Sequence, residues 1–302
     1  MLTLRGLTKK FPGKASPAIE GIDLEIRNGE ILGLVGLNGA GKTTTIRVCV
    51  GLALPTSGSV DVDGRDIVHD KARASQLVGW VPELFPYELS AKALPLLVYF
   101  AGFSGLRGSA ARSQARELLA RVGLASVERD RIRTFSQGMK KRFGLAAVML
   151  SEPRNLLLDE ILNGLDPEGI AFVRNWSLEQ KRLGNAVLLS SHILAELEAM
   201  ADRVAFVHNG HLLRIINRAE LARAAGTLLR ITIENLDAAA VVYLGSLGTA
   251  RVEGTTVLLA DPQLGPSEIN AELGRRGYRV SELRLEGTSL EAYFFQLLGA
   301  AQ

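Results

Sequence analysis

The residues Gly36-Leu37-Asn38-Gly39-Ala40-Gly41-Lys42-Thr43 follow the pattern Gly-x4-Gly-Lys-Ser/Thr. Glycines let a backbone curl until several N–H groups point inward at phosphate oxygens. A lysine at this position offers a point charge to β- and γ-phosphates, and the threonine hydroxyl can ligate Mg²⁺. By itself this spacing points to a nucleotide phosphate and names no reaction. A second group is the apolar run Leu156-Leu157-Leu158 ending in Asp159-Glu160. A bare Asp-Glu after a strand reads as a turn or a helix cap. Coupled to the phosphate loop, it reads as a metal-holding carboxylate, Asp159, beside one placed to polarise water, Glu160.

These groups need elements to hold them. Ile31–Val35 is a short apolar run of buried-strand type, and a helical run follows from Lys42 to Gly51. A phosphate loop requires that strand-to-helix context. Alternating residues predict strands at Leu2–Leu7 and over Ile22, Leu24 and Ile26, and Val60, Val62 and Gly64 suggest a further strand ending in a turn. From Ser90 to Met149 the pattern is mostly helical. Strand-like runs return at Leu156–Leu158 and Ala186–Leu189, beside helical patterns at Pro167–Leu183 and Ala195–Ala201. That alternation predicts a parallel sheet flanked by helices, with ligands beyond the carboxyl ends of its strands. Arg203–His208, Asn209-Gly210 and His211–Ile215 read as a closing hairpin. Near Ala224–Gly226 the register changes. Strands are expected at Leu229–Ile233, Ala250–Val252, Thr256–Leu259 and Tyr278–Leu285, with helices at Ser267–Arg275 and Ser289–Leu298.

Composition sets bounds. The 302 residues are 47% hydrophobic and 22% charged, which suits one large or two smaller globular domains. The formal net charge is +3 without a basic run, so no nucleic acid is expected as partner. The single cysteine, Cys49, cannot form an internal disulfide and reads as a small core residue of a protein from a reducing compartment. No secretory pattern opens the chain, and no segment reaches the ~20 apolar residues of a spanning helix. A soluble protein, or one held peripherally through a partner, is expected.

Between and after the two motifs lie residues that resemble the nucleotide-binding domain of ATP-binding cassette (ABC) transporters. Thr134-Phe135-Ser136-Gln137-Gly138-Met139, followed by Lys140-Lys141-Arg142, resembles the family signature, in which a Ser-x-Gly core opens a helix. Read alone, Ser136 is an N-cap. Asn163-Gly164-Leu165-Asp166-Pro167 resembles the D-loop, and Ser190-Ser191-His192 the switch histidine. Phe11 matches the aromatic that the family stacks on adenine. The matches run in order from Leu2 to about Ile216. Two departures stand out. Glu83, in Trp80-Val81-Pro82-Glu83, occupies the position of the usual Gln. The signature carries Phe135, Gln137 and Met139 in place of the common wording.

The resemblance implies a P-loop NTPase fold of ABC type over residues 1–225, with a mixed sheet core, an antiparallel β subdomain and a helical subdomain. Residues 226–302 are expected to form a small α+β accessory domain, similar to the tail of ABC-2-type exporter ATPases, including the end Thr288-Ser289-Leu290-Glu291-Ala292-Tyr293-Phe294. ATP and Mg²⁺ are the implied cofactors. ATP contacts are expected from Phe11, Gly36, Leu37, Asn38, Gly39, Ala40, Gly41, Lys42, Thr43, Thr44 and Asp166, and across a head-to-tail dimer from Ser136 and Gly138. Metal contacts are expected from Thr43, Glu83 and Asp159. Glu160, Lys42 and His192 are expected to carry hydrolysis. A permease subunit is implied as membrane partner at the cytoplasmic face. It is expected to dock beside Glu83, along Glu83–Phe103, where Leu89, Leu94, Leu97, Val98 and Phe100 form an apolar face.

Overall fold

The computed structural model describes residues 1–84, 88–191, 193–217, 219–220, 228–260, 262–286, 290, 293–294 and 297–298. The chain divides into two compact units, Met1–Ile216 and Asn217–Gln302. The stretch around Ala224–Gly226, where the sequence changes character, lies outside the described residues, as does half of the expected helix Ser289–Leu298.

Alternation of apolar and polar residues builds the first sheet. β1 (Leu2–Lys9) pairs antiparallel with β2 (Ile19–Ile26), Leu2 opposite Ile26 and Leu4 opposite Leu24. On its other side it pairs with Ser57–Val62, and Arg65–Asp66 completes a four-stranded antiparallel sheet. One face, with Leu2, Leu4, Ile22, Leu24, Ile26, Val60 and Val62, is buried. It shares a core with Leu32, Leu34, Ile46 and Val48 of the elements that follow. Cys49 sits in that core, where burial pushes its thiol up to about 12.

The central sheet has six strands. In chain order they are β3 (Ile31–Val35), β6 (Val78–Val81), β7 (Asn155–Leu158), β8 (Ala186–Ser190), β9 (Arg203–His208) and β10 (His211–Asn217), with Ser57–Val62 being β4 and Arg65–Asp66 β5. Their spatial order is β10-β9-β3-β8-β7-β6, and β9, β3, β8, β7 and β6 run parallel. Every residue of β3, β7 and β8 is buried, as in a sheet covered on both faces. Such strands are continuous apolar runs, which is why the sequence reveals them.

The helices of this unit are α1 (Lys42–Cys49), α2 (Lys71–Ala74), α3 (Ala93–Ala101), α4 (Gly108–Arg121), α5 (Gln137–Met149), α6 (Pro167–Arg182) and α7 (Leu194–Met200). α3, α4 and α5 pack on one another and form the helical part expected from Ser90–Met149. Glu30, at the entry to β3, is buried. Its carboxylate accepts from Arg203 Nε and, at 3.0 Å, from Arg203 Nη2, while Nη2 also donates to Glu25 O. One guanidinium thus ties β9 to the β2–β3 connection.

The second unit follows the order β11 (Leu228–Ile233), α8 (Ala238–Leu247), β12 (Thr249–Glu253), β13 (Thr256–Ala260), α9 (Pro266–Arg275) and β14 (Val280–Glu286). The strands form an antiparallel sheet in the order β12-β13-β11-β14, so this is a βαββαβ, ferredoxin-like arrangement. Leu229, Ile231, Ile233, Val257 and Leu259 pack against Leu244 of α8 and Ile269 and Leu273 of α9. Asp237 caps α8, accepting from Ala240 N at 2.8 Å and from the Tyr278 hydroxyl at 2.9 Å. Those two donors hold its carboxyl below the usual carboxylate range.

Candidate nucleotide site

Gly36 to Thr43 joins β3 to α1, as the sequence predicts. No side chain fits at Gly36, where a Cβ would lie 2.5 Å from Val207 O and 2.9 Å from the Ala40 Cβ. Gly41 takes φ +106, and a Cβ there would meet Ala18 O at 2.8 Å. Between them Leu37, Asn38 and Gly39 stand exposed and Ala40 is buried; Thr44, on α1, is half-buried. α1 starts with no side-chain cap and no acidic residue in its first turn. Its positive end is therefore open to an anion. Lys42 is buried, and its Nζ donates to Gly36 O at 2.7 Å.

The acidic pair follows β7, beyond the same sheet end. Asp159 is fully buried. Its Oδ1 accepts from Ser190 Oγ at 2.8 Å and Thr43 Oγ1 at 3.3 Å, whereas its buried Oδ2 has no hydrogen-bond partner among the described residues. Burial raises its carboxyl above the usual range, and the nearby carboxylates of Glu83 and Glu160 push the same way against those two hydroxyls. Glu160 adopts φ +47, a left-handed conformation that costs a non-glycine residue about 1–2 kcal/mol. Its N–H donates to Ser190 Oγ at 2.9 Å, and its carbonyl accepts from Lys141 Nζ. Its Oε2 accepts from Asn163 Nδ2 at 2.8 Å, and its Oε1 lies 3.3 Å from Lys42 Nζ. The fold thus gathers Lys42, Thr43, Asp159 and Glu160 at one place.

Ser136, exposed, caps α5 by accepting from Met139 N at 3.2 Å. Gly138, two residues on, is buried, and a Cβ there would lie 2.9 Å from Gly164 O. Asp166 caps α6, accepting from Gly169 N at 3.1 Å, and forms an ion pair with Arg142 of α5. That partner and the backbone donor hold its carboxyl below the usual range. The signature segment and the Asn163–Pro167 loop are therefore packed together within one chain.

Two candidates lie further out. Phe11 is half-buried, with Lys9 Nζ 5.0 Å from its ring centroid. Glu83 is exposed, two residues beyond β6, near enough to act on Asp159 and Lys141. His192 lies outside the described residues. Of the apolar face expected beside Glu83, Leu94 and Leu97 are buried in the core, and Leu89 is 45% exposed. Three groups escaped sequence reasoning as parts of the acidic-pair geometry: Ser190, Asn163 and Lys141. Ser190 and Asn163 lie inside stretches read for other reasons, and Lys141 reads only as one of three basic residues.

The donors suit Mg²⁺. An unpartnered buried carboxylate oxygen and a threonine hydroxyl beside it are hard oxygen ligands, and among the described residues no three His, Cys, Asp or Glu cluster into a cage. A cation here would draw its other ligands from phosphate and water, as Mg²⁺ does.

The ABC transporter family matches residues 19–163. The bacitracin transport ATP-binding protein BcrA of Enterococcus faecalis is 32% identical over 99% of this chain and 96% of its own length. The daunorubicin resistance ATP-binding protein DrrA3 of Streptomyces coeruleorubidus is 31% identical over 99% and 96%. A solved ATP-binding subunit of an ABC transporter is 28% identical, with TM-score 0.68, over 74% of this chain and 92% of that one. Near-complete coverage at this identity leaves one conclusion: the chain belongs to the ABC transporter family, among its ATP-binding subunits.

Proposed function

We propose that this chain is the ATP-hydrolysing motor of an exporter, bound at the cytoplasmic face of the membrane through a separate permease subunit. The observation that carries the reading is the cluster of Lys42, Thr43, Asp159 and Glu160 at the open end of α1, with one buried carboxylate oxygen unpartnered. Export is favoured by the relatives that match along nearly the whole chain. Their names attach them to bacitracin transport and to daunorubicin and linearmycin resistance. Residues 226–302 serve as the accessory domain. No helix of the described residues is long and apolar enough to cross a membrane, so force must pass to a partner.

In this reading the loop N–H groups and the end of α1 bind the phosphates, and Phe11 stacks on the base. Lys42 leaves its carbonyl and carboxylate partners to neutralise charge on the transferred phosphoryl. Glu160, released from Lys42, takes the proton of the attacking water, and His192 contacts the γ-phosphate. Thr43 and Asp159, with Glu83 nearby, would hold Mg²⁺, which supplies charge neutralisation to the phosphates. Ser136, Gly138 and the Asp166 loop face nucleotide held by a second copy in a head-to-tail dimer. The permease docks beside Glu83 and along the segment that follows it, in which Leu84, Leu89, Tyr99 and Phe103 are 74%, 45%, 64% and 76% exposed.

The test is the Glu160→Gln variant of the full chain. It should bind Mg-ATP, hydrolyse it at least about 100-fold more slowly, and accumulate as an ATP-held dimer in size-exclusion light scattering. Hydrolysis at the parent rate would overturn the base assignment. Absence of any nucleotide binding would overturn the whole reading.

A further inference from the structure

Lys141 is a lysine where the fold has little room for a charge. Its side chain is 7% exposed, and it sits on the second turn of α5, five residues after Ser136 and so about 7.5 Å along the helix. Its ammonium donates to the main-chain carbonyl of Glu160. Burial lowers its pKa, and the carboxylates that oppose the shift are Glu160, Glu83 and Asp159, all from the nucleotide site. A buried ammonium is tolerated only where charges and acceptors compensate it. Here the compensation comes from the site itself.

What it holds is strained. Glu160 has φ +47, and both of its main-chain polar groups are tied by side chains. Ser190 Oγ accepts its N–H, and Lys141 takes its carbonyl together with Asn163 N–H at 3.3 Å. A residue in a sparsely populated conformation persists only when its surroundings over-determine it. We propose that Lys141 is a positioning residue for Glu160. It fixes the Glu160 main chain so that the carboxylate is aimed at the phosphates, and it makes that aim depend on α5, whose N-terminal end carries Ser136 and Gly138. Occupation of that helix end by nucleotide of a second copy is thereby linked, inside one chain, to the base serving the chain's own nucleotide. This rests on the reading of Glu160 as general base.

The test compares the full-length parent with Lys141→Met, Lys141→Arg, Glu160→Gln and the double variant Lys141→Met/Glu160→Gln, in steady-state Mg-ATP hydrolysis. Lys141→Met keeps the stem and removes donor and charge. It should lower kcat by about tenfold or more, with KM for ATP within about twofold of the parent. Lys141→Arg, which keeps charge and donors, should recover most of that loss. Should the Met variant fail to fold, Lys141→Gln, which also removes the charge and shortens the reach to the Glu160 carbonyl, stands in with the same expected fall in kcat at unchanged KM. The double variant should be no slower than Glu160→Gln alone, because positioning a base that is gone changes nothing. The positioning role is overturned if Lys141→Met turns over at the parent kcat, or if its loss simply adds to that of Glu160→Gln. If Glu160→Gln itself hydrolyses at the parent rate, it is the base assignment that has failed.

Discussion

Lys42 Nζ lies 3.3 Å from Glu160 Oε1, with both side chains 7% exposed. In the proposed function this cation serves phosphate and this carboxylate serves water; in this structure the two neutralise each other. Removing one partner of a buried pair leaves the other uncompensated, at a cost of about 3–5 kcal/mol. Lys42→Ala should therefore destabilise the nucleotide-free protein by about 3 kcal/mol in urea unfolding. Lys42→Ala/Glu160→Ala should be less destabilised than the sum of the single variants. Additive losses would show that the two side chains do not interact.

The dimer reading makes a complementation prediction. Gly138→Asp should bind ATP as a protomer yet lose ATP-driven pairing and at least about tenfold in hydrolysis, since Gly138 has no room beside Gly164 O. Lys42→Ala should fail through its own phosphate loop. Mixed in equal amounts, the two inactive proteins should regain up to about a quarter of the parent activity. Half of the dimers would be mixed, and each would hold one intact site. No recovery on mixing would count against sites shared between copies.

The Glu30–Arg203 pair sits far from chemistry and should report on stability alone. Glu30 is 5% exposed, and its carboxylate also accepts from Arg27 N at 2.8 Å. Glu30→Ala should cost about 3 kcal/mol in denaturant unfolding. The KM for ATP should stay near the parent value where the variant remains folded.

Asp237 predicts a local pH dependence. Its carboxyl is depressed by the Ala240 N–H and the Tyr278 hydroxyl. A depressed carboxyl stabilises the fold above the unfolded value near 3.9, and that contribution disappears as pH falls through the lower folded value. In hydrogen exchange, Asp237→Ala should reduce protection at the start of α8 at pH 7. The difference from the parent should shrink below about pH 4. A difference that stays constant to pH 2 would rule out the cap as its source.

Much of the first unit is legible in the sequence because its strands are buried on both faces. Ile31–Val35, Leu156–Leu158 and Ala186–Leu189 are unbroken apolar runs, found almost to the residue. Val78–Val81 is not read, since four residues are too few to show a period, and pairing with Asn155–Leu158 makes them a strand. Ala238–Leu247 is missed for a different reason. With Ala-Val-Val-Tyr-Leu in sequence it lacks a polar face, so no period of 3.6 shows. At the site, residue types and spacing point to Lys42, Thr43, Asp159 and Glu160. The groups that hold them arrive from distant positions. Ser190 serves Asp159 from 31 residues away, and Lys141 serves Glu160 from 19. A local pattern carries no trace of such partnerships.

The turn between β9 and β10 bears on the phosphate loop from outside. Gly210 N donates to Ala40 O at 3.1 Å, Gly210 O accepts from Glu20 N at 2.8 Å, and Val207 O closes the space at Gly36. The loop's outer wall is thus main chain from the turn between the neighbouring strands β9 and β10, whose atoms have no rotamers with which to yield. The curvature offered to a triphosphate is therefore inherited from how the sheet ends, and a lengthened turn at Asn209-Gly210 would reshape it without touching any residue that meets the nucleotide.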